Sequence, residues 1–185
     1  KSASGKDSVF KELRKRFPAY KEIVPYTTRP IREGETDGVE YHFVDDRRLL
    51  ELEREGRVIE RRDYQTKHGV WRYFTVDDGQ VDLHGNDYLV IGTLESYGKM
   101  KEHFGDGAMV PVYVEVEDGE RLLRALARER VQKEPKYAEM CRRFLADEED
   151  FSEENLKRAE IGRKFKNIDF GECIDEIGVY LREKM

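Results

Sequence analysis

Two almost continuously apolar runs, DYLVIGT at 87–93 and MVPVYVEV at 109–116, constrain this chain more than any other feature of it. Strands buried on both faces of a parallel sheet have this composition, because neither side of the pleat meets water. Each run is followed by helical apolar spacing, at roughly 95–104 and roughly 119–130. Strands alternating with helices predict an α/β fold, a parallel sheet flanked by helices.

The remaining segments extend this pattern. VFKELRKRF at 9–17 puts Val9, Leu13 and Phe17 on one helical face. EIVPYT at 22–27 and VEYHFV at 39–44 predict strands, separated by a polar connection. Asp45 and Asp46 precede RRLLELEREG, an N-cap and a helix that Gly56 stops. VIERRDYQTKHGVWRYFT predicts a hairpin turning near Lys67-His68-Gly69. The charged stretch from Arg128 to Asp150 is a helical excursion, either a solvated surface helix or a mobile lid. SEENLKRAEI, a short strand near Phe165–Phe170 and a final helix through Tyr180 complete one expected folding unit of 185 residues, with no repeat or linker.

Charged residues make up 40% of the chain, yet 11% aromatics and the apolar runs predict a folded domain. A net charge of −6 argues against general binding to nucleic acid or an anionic membrane. No apolar run approaches the roughly 20 residues of a membrane span, and the start does not resemble a secretory signal. Cys141 and Cys173 lack metal-ligand spacing, which fits a reducing cytoplasm.

The chain opens KSASGKDS, directly before its first predicted helix. In a phosphate loop, glycines let backbone N–H groups surround the phosphates, a lysine reaches their outer oxygens and a hydroxyl meets magnesium. Ser4, Gly5, Lys6, Asp7 and Ser8 supply the second half of such a loop, at the N-terminus of a helix that favours an anion. The first glycine would fall at position 0, and the strand that feeds the loop is missing, so on this reading the sequence is N-terminally truncated. A polar tail before a helix is the alternative, and these residues alone leave both open.

TTRPIREGETDGVEYHF at 27–43 makes the resemblance specific. It resembles the guanylate kinase family, P-loop nucleoside monophosphate kinases with a TTR-x-x-R-x-G-E pattern ending in G-x-x-Y-x-F, of which this chain is identified as a divergent member. The resemblance implies a P-loop NTPase-type sheet, a small β-rich monophosphate-binding subdomain at about 22–86 and a helical lid at about 128–150. It implies ATP and Mg2+ as cofactors and a nucleoside monophosphate, GMP above all, as acceptor. Lys6 and the loop residues would hold the donor phosphates, with Asp7 or Ser8 at the metal. Arg29, Arg32 and Tyr41 would bind the acceptor phosphate, since guanidinium forks and a phenol donate well to a dianion. Glu60 would accept from guanine N1–H and the 2-amino group, with Glu95 on the base side and Thr93 where another aspartate is usual. Tyr73 lies thirteen residues beyond Glu60 rather than nine, and an insertion of two residues per arm preserves its face. Thr75 then takes the place of a base-contacting hydroxyl, and His68 is the rival of Tyr73. Arg130 and Arg143 are the lid arginines expected at the transferring phosphoryl, with Arg128 a further candidate and Arg142 a solvent-facing neighbour.

Two positions depart from the family pattern. Pro25 stands where a serine reads the guanine carbonyl, which removes one guanine contact and leaves another monophosphate as the alternative acceptor. Asp7 stands where the first loop hydroxyl meets magnesium. A non-catalytic module holding a phosphorylated partner is the other alternative, against which Lys6 and the complete arginine set argue. His42, His84 and His103 match no ligand pattern.

Overall fold

The computed structural model describes residues 1–66 and 69–184, so Lys67 and His68 of the expected turn lie outside the described residues. Along the chain run α1 (Lys6–Arg16), β1 (Lys21–Glu22), β2 (Tyr26–Thr27), β3 (His42–Phe43), α2 (Asp46–Arg54), β4 (Val58–Thr66) and β5 (Gly69–Val76). Then come β6 (Tyr88–Leu89), α3 (Leu94–Phe104), β7 (Tyr113–Glu115), α4 (Asp118–Arg130), α5 (Tyr137–Asp150), α6 (Glu153–Arg158), β8 (Lys164–Lys166) and α7 (Phe170–Lys184). They form two compact units, one of residues 1–18 with 110 onward, the other of residues 19–109.

In the first unit β7 pairs in parallel with β8, from Tyr113↔Lys164 to Glu115↔Lys166. Helix α1 buries Val9 and Leu13, the face its apolar spacing predicted, and packs on α7, which buries Ile174, Ile177 and Leu181. In the second unit β1 and β6 pair in parallel, and a four-stranded sheet has the order β3-β2-β5-β4. The β4–β5 hairpin dominates that sheet. On one face Phe74 and Val76 pack with Leu49 and Leu52 of α2, joined by Tyr26, Val44 and Val58. Asp45 caps α2, its carboxylate accepting from the Arg48 N–H at 2.8 Å.

Four predicted strands are shorter than their runs. One of them, VEYHFV, is strand only over His42–Phe43, where the two-residue β2 pairs with it. EIVPYT splits into β1 and β2, because Gln80 takes over the backbone groups of Val24: it accepts from Val24 N at 2.7 Å and donates to Val24 O at 3.3 Å. Pro25 has no N–H to continue a ladder. DYLVIGT is strand only at Tyr88–Leu89, where the two-residue β1 can pair with it, and its end turns into the cap of α3. MVPVYVEV is strand only over Tyr113–Glu115, since Pro111 lacks a donor and Glu117 already caps α4. The strand expected near 165–170 sits at Lys164–Lys166, and Phe170 opens α7 instead.

Phe74 is fully buried between α2 and the sheet. Phe74→Ala should cost about 3–5 kcal/mol of unfolding free energy, the usual range for an aromatic removed from a core. Urea denaturation of the two proteins side by side would measure it.

Candidate functional site

The first unit carries the loop. Ala3 and Gly5 both adopt the left-handed backbone, with φ of 59° and 84°, and Gly5 is the N-cap residue of α1. A Cβ on Gly5 would come within 2.5 Å of Asn167 Nδ2, so this position has room only for glycine. Asn167 follows β8 and fastens the loop from beneath, donating from Nδ2 to Ser4 O at 2.8 Å. The first intrahelical bond runs from Val9 N to Gly5 O, which leaves the N–H groups before it for an outside acceptor. Ser4 Oγ is buried and has no hydrogen-bond partner, the one such side-chain atom among the described residues. Left-handed turns, helix N–H groups and an unused hydroxyl together fit a phosphate.

Lys6 and Asp7 emerge from the first turn of α1, Lys6 Nζ donating to Asp7 Oδ2 at 3.2 Å, and Ser8 is exposed beside them. Of the arginines expected in the lid, Arg143 on α5 reaches the loop, its Nη2 3.4 Å from Ser2 Oγ. Arg128 and Arg130 are exposed on the last turn of α4, and Arg142 is held by Glu139 through two bonds of 2.7 Å. The residue that joins α4 and α5 to the loop is Arg121, which sequence reasoning passed over. It is 1% exposed and donates to Ser2 O at 3.1 Å, to Asp118 at 2.6 Å, to Glu148 at 2.7 Å and to Asp147 at 3.2 Å. Its spacing within GERLLRALARER looks like that of any charged helix face, so no local signal distinguishes it.

The second unit carries the remaining candidates, and the hairpin sets most of them. Val58 pairs with Val76, but Glu60 pairs with Thr75, a register shift that makes Ile59 a β-bulge. Val58 therefore joins the core while Glu60, two residues on, faces the opposite side. From there the ladder is regular, with Arg62 opposite Tyr73 and Tyr64 opposite Trp71. Glu60, Tyr73 and Thr75 share one face, as the even insertion requires. Glu60 is almost wholly buried, and Thr75 Oγ1 donates to its Oε1 at 2.9 Å. Arg62 forks onto the same carboxylate, from Nε to Oε2 at 2.9 Å and from Nη2 to Oε1 at 3.0 Å. Sequence reasoning missed Arg62, although its place two residues along the strand puts it on that face.

Arg29 is equally buried and is held by Glu35, from Nη1 to Oε2 at 2.7 Å and from Nη2 to Oε1 at 2.5 Å, with Nη1 also donating to Pro30 O at 3.0 Å. Of its five donors this leaves Nε–H and one Nη2–H. The guanidinium stacks 5.0 Å from the Tyr41 ring centroid and 5.2 Å from that of Phe43. Tyr41 lies 5.6 Å from Tyr73, which lies 5.5 Å from Tyr64. Burial and the neighbouring Tyr73 push the Tyr41 phenol up, so it stays a neutral donor near pH 7. Arg32 is exposed with its guanidinium 5.9 Å from Trp71, and its N–H donates to Glu35 Oε2 at 2.8 Å. Glu35 was legible only as part of the motif, with no role assigned to it. Glu95 is exposed on the first turn of α3 and, with Glu60, Glu53, Arg61 and Lys99, borders a depression of about 370 Å³. Thr93 is the N-cap of α3, its hydroxyl accepting from Ser96 N at 3.2 Å while Thr93 N donates to Ser96 Oγ at 2.9 Å.

Residues 1–70 match the family described as guanylate kinase. Over that segment the chain is similar to the guanylate kinase family. A guanylate kinase of Thermobifida fusca is 49% identical over 63 residues, 34% of this chain and 32% of that protein. A guanylate kinase of Chlorobium luteolum is 31% identical over 111 residues, 59% of this chain and 54% of that protein. The chain thus spans between a third and about half of these relatives. The crystal structure of a guanylate kinase from Anaplasma phagocytophilum superposes over 96% of this chain and 82% of that one, with a TM-score of 0.59 and 24% identity. That likeness establishes the guanylate kinase fold, an α/β architecture with parallel strands and flanking helices. No helix among the described residues is long and apolar enough to cross a membrane.

Beside Arg29, the Glu35 carboxyl is lowered from 4.5 to about 2. A depressed carboxyl contributes stability above its unfolded value and loses it as pH falls through the folded one. Wild-type stability should therefore carry an acid-side slope between about pH 4.5 and 2 that Glu35→Gln lacks. The gap between the two proteins, followed by denaturation at a series of pH values, should narrow on acidification.

Proposed function

We propose that the chain is an ATP-dependent nucleoside monophosphate kinase with GMP as its preferred acceptor, converting GMP and ATP to GDP and ADP. The observation that carries this reading is the arrangement around Arg29, where a buried guanidinium with two donors left is stacked on Tyr41 beside Tyr73. A site that holds a cation, keeps a phenol protonated and adds the exposed Arg32 suits a phosphate dianion. Glu60 on the same sheet offers an acceptor for donors on the base.

Phosphoryl transfer is mostly positioning and charge neutralisation. In this reading Lys6 and the N–H groups at the start of α1 hold the donor phosphates, and Arg143 adds charge at the transferring group. Arg29, Arg32, Tyr41 and Tyr73 fix the acceptor phosphate, whose oxygen is already anionic and needs no general base. Asp7 and Ser8 offer oxygen ligands that fit Mg2+, which when bound neutralises phosphate charge. A cytoplasmic setting accords with two free cysteines, Cys141 exposed and Cys173 buried. One observation favours another monophosphate as acceptor: Pro25 has no hydroxyl, and its carbonyl accepts from His42 N at 2.9 Å.

ADP release with magnesium–ATP should be fastest with GMP among GMP, dGMP, AMP, UMP and CMP. Lys6→Ala should lower kcat about 100-fold or more, the scale of losing one donor to a developing oxyanion. Fastest turnover with a different base would move the assignment to that acceptor.

A further inference from the structure

We infer that Arg62 is a built-in competitor for the acceptor base at Glu60. The inference rests on the reading of Glu60 as a base-binding residue and concerns what must leave before a base can bind.

The carboxylate of Glu60 is satisfied within its own sheet. Its Oε2 accepts from Arg62 Nε at 2.9 Å, and its Oε1 accepts from Arg62 Nη2 at 3.0 Å and Thr75 Oγ1 at 2.9 Å. The Glu60 side chain is 1% exposed and that of Arg62 17%, so the pair is shielded from water. Two parallel N–H donors on the two oxygens of one carboxylate form the bidentate fork typical of arginine. The N1–H and 2-amino group of guanine present two donors side by side in the same way. The guanidinium and the guanine edge therefore ask for the same oxygens, and the carboxylate cannot hold both as forks. Arg62 is well placed to fill this role. A carboxylate so deeply buried needs a charged partner when no ligand is present, and a neighbour two residues along the strand supplies one without any backbone rearrangement. Arg62 lies cross-strand from Tyr73 and its side chain keeps 17% exposure, so release requires rotation of that side chain toward solvent. Base binding becomes an exchange of one fork for another, so the net gain from Glu60 is small and guanine preference is blunted. A base with a single donor on that edge, such as the hypoxanthine of IMP, exchanges two bonds for one and is held back further.

Calorimetric titration of GMP, IMP and AMP into the wild-type chain, Arg62→Ala and Arg62→Lys tests this without depending on turnover. Arg62→Ala should tighten GMP about tenfold, the equivalent of one charge-assisted hydrogen bond recovered, and leave AMP unchanged. Arg62→Lys keeps the charge but cannot fork, so it should give a smaller gain and guards against a loss of folding in the alanine variant. GMP binding that is unchanged, weakened or undetectable in both variants overturns the inference. Tightened GMP binding with no turnover of any acceptor would leave the competition standing and remove the kinase reading. GMP turnover with an unaltered KM in both variants would do the reverse.

Discussion

The bulge at Ile59 is the constraint on which the second unit depends. Side chains alternate across a strand with period two, so without an extra residue Val58 and Glu60 would share a face. Burying both there would put a carboxylate among Leu49, Leu52, Phe74 and Val76. The register shift lets Val58 serve the core and sends Glu60 to the other side, opposite Thr75. Beyond it the ladder runs without interruption, and Arg62, Tyr73, Tyr64 and Trp71 inherit the face that Glu60 establishes. One inserted residue thus decides both what holds the sheet on α2 and what chemistry its free face offers.

Charges that this fold buries are buried in pairs. Arg29 is held by Glu35, Glu60 by Arg62, and Arg121 by Asp118, Asp147 and Glu148. An isolated charge at such burial would cost several kcal/mol, so each partner is a condition for the other being there. The pairs differ in what they leave over. Arg121 spends its donors on carboxylates and on Ser2 O, consistent with a structural tie between two helices and the loop. Arg29 keeps two donors directed away from Glu35, which separates a candidate ligand from a strut. Glu60 keeps no simple vacancy, since a guanidinium and a hydroxyl already use its oxygens.

The sequence was legible where structure is local. Apolar spacing located α1, α2, α3 and α4, the Asp45 cap, and both arms of the hairpin, because period and capping are properties of a few adjacent residues. The even insertion in the hairpin placed Glu60, Tyr73 and Thr75 on one face for the same reason. Strand length was not legible, because an apolar run is strand only as far as a neighbour pairs with it, and β1 pairs over two residues. Nor were the residues that fasten the site. Asn167 meets Ser4 across 163 positions of sequence, and Arg121 meets Ser2 across 119. Arg62 was within reach of the same period-two argument, but a family pattern directs attention to its own residues and away from their neighbours.

The departure at Asp7 can be weighed on the same terms. A carboxylate in the first turn of α1 is favoured by the helix dipole, and it accepts from Lys6 Nζ at 3.2 Å. It therefore competes with a phosphate for both the helix N-terminus and the lysine. The competition is a weak one. The Lys6 and Asp7 side chains are 39% and 68% exposed, and exposed pairs of this kind contribute at most about 1 kcal/mol. A nucleotide phosphate chain brings more than one negative charge, accepts from several backbone N–H groups at once, and approaches a buried Ser4 hydroxyl that has no other partner. Many donors to a polyanion outweigh one exposed ion pair. Asp7 is then more easily displaced from Lys6 than Arg62 is from Glu60, and of these two internal competitors the shielded one on the hairpin sets the tighter limit on binding.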